Sequence, residues 1–327
     1  MNNSFSDYLI KLLVIDNYKY KLLNTRRFFS MTLPRIAVAL PDSMVYEYKH
    51  LRDKTEKLGY IVRALSIFQV TDIFVYHSPF ITPAEAEKEK RIIRNIIGYA
   101  ECPQYLRKQL FPIHRDLEFV GVLPPLATPH HMVENKLKEG EFREALIHLG
   151  NDNKIYANIG MKFPVLVHNP PSESLKDKKI RKTVRMIKEN DSNKFFAEIV
   201  PRELIQSETY WGFKLKFTDI SIAKFGDRLK DFFIIATDRQ GKSYTTVKEE
   251  IDEGVIKLKN RNSVLFLFGE PKFDIYQMLK GYNNVKLKDI SNIIINAVPY
   301  SGTRSIRLEE AVMISLARIL PIVGINT

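Results

Sequence analysis

A chain of 327 residues with a formal charge of +12 and one cysteine, Cys102, is long enough for two hydrophobic cores and excludes both an internal disulfide and a cysteine-based zinc site. No stretch approaches the roughly 18 uncharged apolar residues that a membrane span needs, and the run over 8–15 is short and broken by Lys11. The positive surplus favours a polyanionic partner such as RNA, DNA or an anionic surface, and the lone cysteine suits a reducing, cytoplasmic compartment.

Residues 1–32 read as an N-terminal extension, either disordered or preceding the native start, because Met31 stands just before the first apolar run. That run, RIAVAL over 35–40, ends at Pro41 and predicts a buried strand. Leu51, Thr55, Leu58, Val62 and Leu65 then recur at spacings of three and four, one face of a helix. IFVY over 73–76 predicts a second strand. The charged, Ala- and Ile-rich segment 82–100, with Pro83 suited to a first turn, predicts a second helix. Strand and helix alternate over 33–110, the pattern of a parallel sheet.

Between 111 and 200 the apolar runs shorten (118–123, 155–159, 165–167, 183–187, 195–200) and Pro, Gly and Asn punctuate them. Short strands with frequent turns suggest a small inserted barrel of the five-stranded OB type. The α/β texture returns over 201–327, with an extended segment at 213–217, strands at 232–236, 264–268 and 290–298, and a last helix over 308–320 whose Val312, Leu316 and Ile319 share a face. The predicted fold is therefore α/β, a parallel-sheet catalytic domain in two parts with a small β-barrel between them.

Three strands of the last part end in unusual loops: Thr237-Asp238-Arg239-Gln240-Gly241, Gly269-Glu270-Pro271, and Pro299-Tyr300-Ser301-Gly302-Thr303-Arg304. Ligands of open α/β sheets bind at the carboxyl ends of strands. Glycine there lets backbone approach a ligand, and exposed backbone groups can read an adenine edge. No GxxxxGK[ST] or GxGxxG pattern occurs, so a P-loop or dinucleotide fingerprint is unsupported. His130-His131 lacks a second cluster at ligand spacing, so no metal is expected. The segment 176–188 (KDKKIRKTVRMIK) is the densest basic stretch, and it offers Lys176, Lys178, Lys179, Arg181, Lys182 and Arg185 as RNA-backbone contacts. Phe163, Phe195 and Phe196 read as core aromatics more readily than as stacking platforms.

The segment from Asn296 through Val298, Pro299, Gly302 and Thr303 to Ala311 (NAVPYSGTRSIRLEEA) resembles the final cofactor loop and helix of the SPOUT methyltransferases. The similarity is to the archaeal and eukaryotic branch that carries an inserted OB-like domain. LRDKT at 51–55, ECPQYLRK at 101–108, LPPL at 123–126, TPHH at 128–131 and YWG at 210–212 resemble the same branch, in order. The resemblance implies a deep trefoil knot, S-adenosyl-L-methionine bent into the knotted loops, and a homodimer. Eukaryotic relatives are assigned uridine-N3 methylation of large-subunit ribosomal RNA. The resemblance further implies a cofactor pocket lined by Thr237, Arg239, Gly241, Gly269, Glu270, Pro271, Asn296, Val298, Pro299, Ser301, Gly302 and Thr303. Arg304 would grip the RNA, and Arg304, Glu309 and Arg239 remain open as groups that handle the proton of the target base. Three departures stand out. Tyr300 and Ser301 replace the usual Gly-Gln, Leu308 replaces a threonine that would cap the helix, and Asp238 replaces a serine. A second reading follows from the first departure, an RNA-binding ribosome-assembly factor whose cofactor site is degenerate and blocked by Tyr300.

Overall fold

The computed structural model describes residues 35–322 apart from 172–174, 176–177, 190–191, 193, 207, 219, 252–262 and 283–284. The extension read over 1–32 lies outside the described residues.

Six parallel strands form one sheet: β1 (Arg35–Pro41), β2 (Asp72–Tyr76), β8 (Lys214–Thr218), β9 (Phe233–Ser243), β10 (Ser263–Leu267) and β11 (Ile293–Asn296), in the order β11-β9-β10-β1-β2-β8. Both faces are covered, which is why β1 reads as an unbroken apolar run rather than an alternation. Its Ile36, Val38 and Leu40 enter one core, and its Ala37 and Ala39 enter the other. The first core is closed by α1 (Leu51–Ile67), α2 (Pro83–Glu101) and the last helix. The second core is closed by short helical turns carrying Phe225, Ile275, Met278 and Ile290.

Local chemistry sets the helix starts. Thr82 Oγ1 accepts from the Glu85 backbone at 3.3 Å and Glu85 Oε2 accepts from the Thr82 backbone at 2.8 Å, a capping box with Pro83 in the first turn. The last helix, Leu308–Ile319, has no side-chain cap at Arg307. Instead Glu310 Oε2 accepts from the Arg307 N–H at 2.9 Å. Leu308, standing where a threonine was expected, is 5% exposed and packs into the first core.

Five antiparallel strands lie in sequence between β2 and β8: β3 (Phe142–Leu149), β4 (Ile155–Asn158), β5 (Val165–Leu166), β6 (Ile180–Lys188) and β7 (Phe195–Val200). Their order is β5-β4-β3-β6-β7. A parallel bridge between Val167 and Ala197 brings the outer strands together, so the sheet is a nearly closed barrel around Ile147, Ala157, Val184 and Met186.

Two expectations need correction. The run 118–123 is not a strand. It forms part of a series of short 3₁₀ turns, Arg115–Leu117 and Val120–Val122, and Leu123 and Leu126 then pack on the first core while Arg63 Nη1 donates to the Leu126 carbonyl at 2.6 Å. Gly121 and the Pro124-Pro125 pair deny the segment a ladder. Nor does β9 end at Ala236. It pairs with β11 up to Ala236, leaves the ladder for five residues, and re-pairs at Lys242 and Ser243 opposite Ile295 and Asn296. Hydrophobicity could not reveal the second half, because it carries no apolar side chain.

Candidate active site at the carboxyl ends of the parallel strands

The excursion 237–241 leaves β9 and returns against β11. A Cβ on Gly241 would lie 2.6 Å from the Ile295 carbonyl carbon and 2.8 Å from the Asn296 nitrogen, so only glycine permits this crossing of two backbones. Asn296 ties the two segments: its Nδ2 donates to the Arg239 carbonyl at 2.9 Å and its Oδ1 accepts from Val298 N–H at 2.9 Å. Thr237 Oγ1 donates to the Leu267 carbonyl at 3.2 Å, joining the excursion to the end of β10. Beyond β10 the chain folds back. Glu270 N–H donates to the Phe273 carbonyl at 3.0 Å, and a Cβ on Gly269 would stand 3.2 Å from both that carbonyl and the Ile275 nitrogen. Burial raises the Asp238 carboxyl, whose Oδ1 accepts from Gln240 N–H at 2.8 Å. Thr237, Arg239, Gly241, Asn296 and Val298 are thus joined by direct bonds and contacts, with Pro299 following in chain, while Gly269, Glu270 and Pro271 form a separate fold-back after β10.

The third loop is different. Tyr300 is 97% exposed and fills no cavity. Ser301 Oγ accepts from Thr303 N–H at 3.2 Å, Thr303 Oγ1 donates to the Ser305 carbonyl at 3.0 Å, and a Cβ on Gly302 would meet nothing within 4 Å. Arg304 is exposed. The loop is held by its own hydroxyls rather than by the rest of the chain. Glu309, in the first turn of the last helix, faces α1, where its carboxylate is 3.5 Å from Lys57 Nζ and 13% exposed. Beside β11, at the edge of the sheet, runs a groove of about 690 Å³ lined by Tyr276, Leu279, Tyr282, Lys286 and Ile294.

The basic stretch divides. Lys176 lies outside the described residues. Lys178 and Lys179 are exposed and Lys182 is half-buried on β6. Arg185 is paired with Glu198 at 2.6 Å. Arg181 is committed to a buried network: its Nη1 lies 2.5 Å from Glu101 and its Nε 2.5 Å from Glu144. Glu144 also accepts from Thr183 at 2.7 Å and from the Trp211 indole at 2.8 Å, and Glu101 from Arg202 at 2.8 Å. Burial alone would raise the Glu101 carboxyl, but Arg181, Arg202 and His130 outweigh it and hold it at about 2. His130, lowered to about 4 by burial, and His131 both reach the Glu101 carbonyl, at 3.0 and 2.8 Å. Gly212 (φ 76°) turns above His130. The sequence segments ECP, TPHH and YWG therefore meet in one ionic junction between the two sheets. Phe163, 71% exposed, has Lys162 over its ring, while Phe195 packs on the barrel core.

Sequence reasoning missed Asp42 and His77, which sit with Glu270 where β1, β2 and β10 end. Burial pushes the Glu270 carboxyl up to about 7. Asp42 adds to that shift, while Ser43 and His77 oppose it. The only signal was a polar pair directly after β1 and another after β2. Among the described residues no group of three His, Cys, Asp or Glu side chains is arranged to hold a metal ion, and no helix is long and apolar enough to cross a membrane.

Residues 35–319 match the model of a family described as "Putative RNA methyltransferase". The chain is 30% identical over 312 residues to a human 28S rRNA (uridine-N(3))-methyltransferase, covering 88% of this chain and 78% of the relative. It is 29% identical over 310 residues to the mouse protein of the same description, covering 88% and 76%. An uncharacterized protein of Halobacterium salinarum is 27% identical over 292 residues, covering 86% and 96%.

Proposed function

The chain belongs to this RNA methyltransferase family, and from that premise we propose that it moves a methyl group from S-adenosyl-L-methionine to N3 of a uridine in ribosomal RNA. The observation that carries the proposal is the meeting of the excursion 237–241 with the carboxyl ends of β10 and β11, tied by Asn296, Thr237 and the Gly241 crossing. The residues fit the donor. Gly241 and Gly269 are half-buried and carry no side chain, so the face of each that the packed neighbouring backbone does not cover is open to the donor. Thr237, Arg239, Gly241, Gly269, Pro271, Asn296, Val298 and Pro299 would hold it, with Ser301, Gly302 and Thr303 as its outer wall. When bound, the donor supplies an electrophilic methyl on a cationic sulfur. The protein's share is positioning, which by itself removes much of the barrier of an in-line transfer.

The Gly241 crossing supports a knotted chain, and the five-stranded order of the inserted sheet supports an OB-like barrel. A homodimer accounts for the third loop, whose outer face finds no cover from its own chain. Lys178, Lys179 and Lys182 on the barrel and Arg304 beside the donor loops would contact RNA phosphates, a guanidinium suiting bidentate contact. The reading as a binding factor with a blocked pocket loses its motive, because Tyr300 points into solvent.

Isothermal titration of S-adenosyl-L-methionine tests the proposal. Saturable binding by the native protein, lost in Gly241→Val, is expected. A folded protein that takes up no donor overturns it.

A further inference from the structure

Asp42 and Ser43 follow β1, His77 and Ser78 follow β2, and Glu270 follows β10, so five polar side chains gather where three adjacent parallel strands end. β1 is also where strand order turns, with β2 on one side and β10 on the other, and open α/β sheets take ligands in the crevice at such a switch point. Asp42 is fully buried and both its oxygens are engaged: Oδ1 accepts from Ser78 N–H at 3.0 Å and Oδ2 from His77 Nδ1 at 2.9 Å. A carboxylate only accepts, so Nδ1 carries the hydrogen and the neutral ring keeps its lone pair on Nε2. The His77 side chain is 36% exposed. Near it, Glu270 Oε1 and the hydroxyl of Ser43, itself 3% exposed, are both buried and neither has a partner at ordinary hydrogen-bond distance, although Ser43 lies close enough to Glu270 to lower its carboxyl. Buried polar atoms left open in this way call for a polar guest. Phe80 and Phe273, from the loops after β2 and β10, stack at 4.0 Å and 27°, and the 42% exposed Phe80 offers a flat apolar wall beside the crevice.

We propose that His77, oriented by Asp42, accepts the proton of the target base, and that Ser43 and Glu270 donate to the two carbonyl oxygens flanking it. This rests on the methyltransferase reading above. With Glu270 protonated, the three side chains supply two donors and one acceptor, matching in kind the uracil edge, whose N3–H lies between two carbonyls. Cytosine presents no hydrogen at that atom. In the step, the N3–H bond breaks, its proton goes to His77 Nε2 and its electron pair stays on N3. That pair forms the bond to the methyl carbon as the carbon–sulfur bond of the sulfonium donor breaks, its pair going to sulfur. A neutral base and a cationic donor thus give a methylated base, a neutral thioether and a protonated imidazole. The titratable groups facing His77 are Asp42 from β1 and Glu270 from β10. The hydroxyl of Tyr76, buried near Glu270 and Asp42, is committed to the Phe268 carbonyl, to which it donates at 2.6 Å. Burial raises the Glu270 carboxyl to about 7, so that its protonated, donating form is present near neutral pH.

Two measurements test this. Single-turnover methyl transfer is followed from acid to alkaline pH in the native protein and in His77→Gln. The variant is expected to be slower by about 10²–10⁴-fold, to lose the rise in rate on leaving acid pH, and to keep its donor affinity and melting temperature. A variant with the native pH profile overturns the proposal. The ring ¹H–¹⁵N signals of His77 are then recorded with a short uridine oligonucleotide. They are expected to shift, and not to shift when cytidine replaces uridine. Signals that ignore uridine overturn the proposal without reference to any methyl transfer. A native protein whose His77 responds to uridine but which methylates no RNA refutes the methyltransferase reading instead.

Discussion

Gly241→Ala puts a methyl carbon 2.6 Å from the Ile295 carbonyl carbon and 2.7 Å from its nitrogen. Ordinary contact begins at 3.4 Å, so the two segments must part by 0.8 Å (3.4 minus 2.6). The obstacle is backbone held in a parallel ladder, and Ile295 is fully buried, so no side chain can swing away to relieve it. Overpacking of this kind costs about 1–3 kcal/mol, and a domain of this size loses about 2–4 °C of melting temperature per kcal/mol. The same displacement pulls on the Asn296–Arg239 and Thr237–Leu267 hydrogen bonds, each of which contributes about 1 kcal/mol. Donor affinity is therefore expected to fall at least about tenfold in the folded variant. Gly302→Ala is the control, since its Cβ meets nothing within 4 Å. Urea unfolding followed by circular dichroism, with donor titration alongside, reads both effects. Equal stability of the two variants would refute the crossing as described.

Other outcomes follow from the same geometry. Glu101→Gln leaves Arg181 and Arg202 short of a buried counter-charge and should cost about 3–5 kcal/mol in chemical denaturation. Because the carboxyl is depressed to about 2, its contribution is present above the ordinary carboxylate range and lost as pH falls through about 2, so the native protein and the variant should converge in strong acid. Glu270 has the opposite sign. Its raised value means that its contribution is full below the ordinary range and lost as pH rises through about 7. After discounting for its partial exposure, Glu270→Gln should therefore gain about 1–2 kcal/mol over the native protein in alkali and nothing in acid. Lys178→Ala and Lys179→Ala should each lower the slope of log affinity for RNA against log salt by about 0.7–0.9, with unchanged stability, as both side chains are exposed.

How much of this was legible depends on what each residue's role leaves in the sequence. β1, β2 and β10 were visible because strands buried on both faces must be apolar throughout, and α1 and α2 because one face of each is. The donor loops were visible through their glycines, although Gly241 and Gly302 look alike in sequence and differ completely in surroundings. Arg181 illustrates the converse. A basic run suggested an RNA surface, but the guanidinium faces inward because Glu101 and Glu144, distant in sequence, need a counter-charge. Asp42 and His77 left almost no trace, since single polar residues after a strand are ordinary and only the sheet order makes them neighbours. The return of β9 to β11 depends on backbone alone and is invisible to any reading of side chains.

The most direct test of the central claim is chemical. Ribosomal RNA lacking the modification is incubated with the protein and isotopically labelled S-adenosyl-L-methionine, digested to nucleosides and separated by mass spectrometry against standards. The account predicts labelled N3-methyluridine that is formed by the native protein and reduced in Gly241→Val. Folded, donor-binding protein that leaves every uridine unlabelled, or that labels a different atom or base, would contradict it.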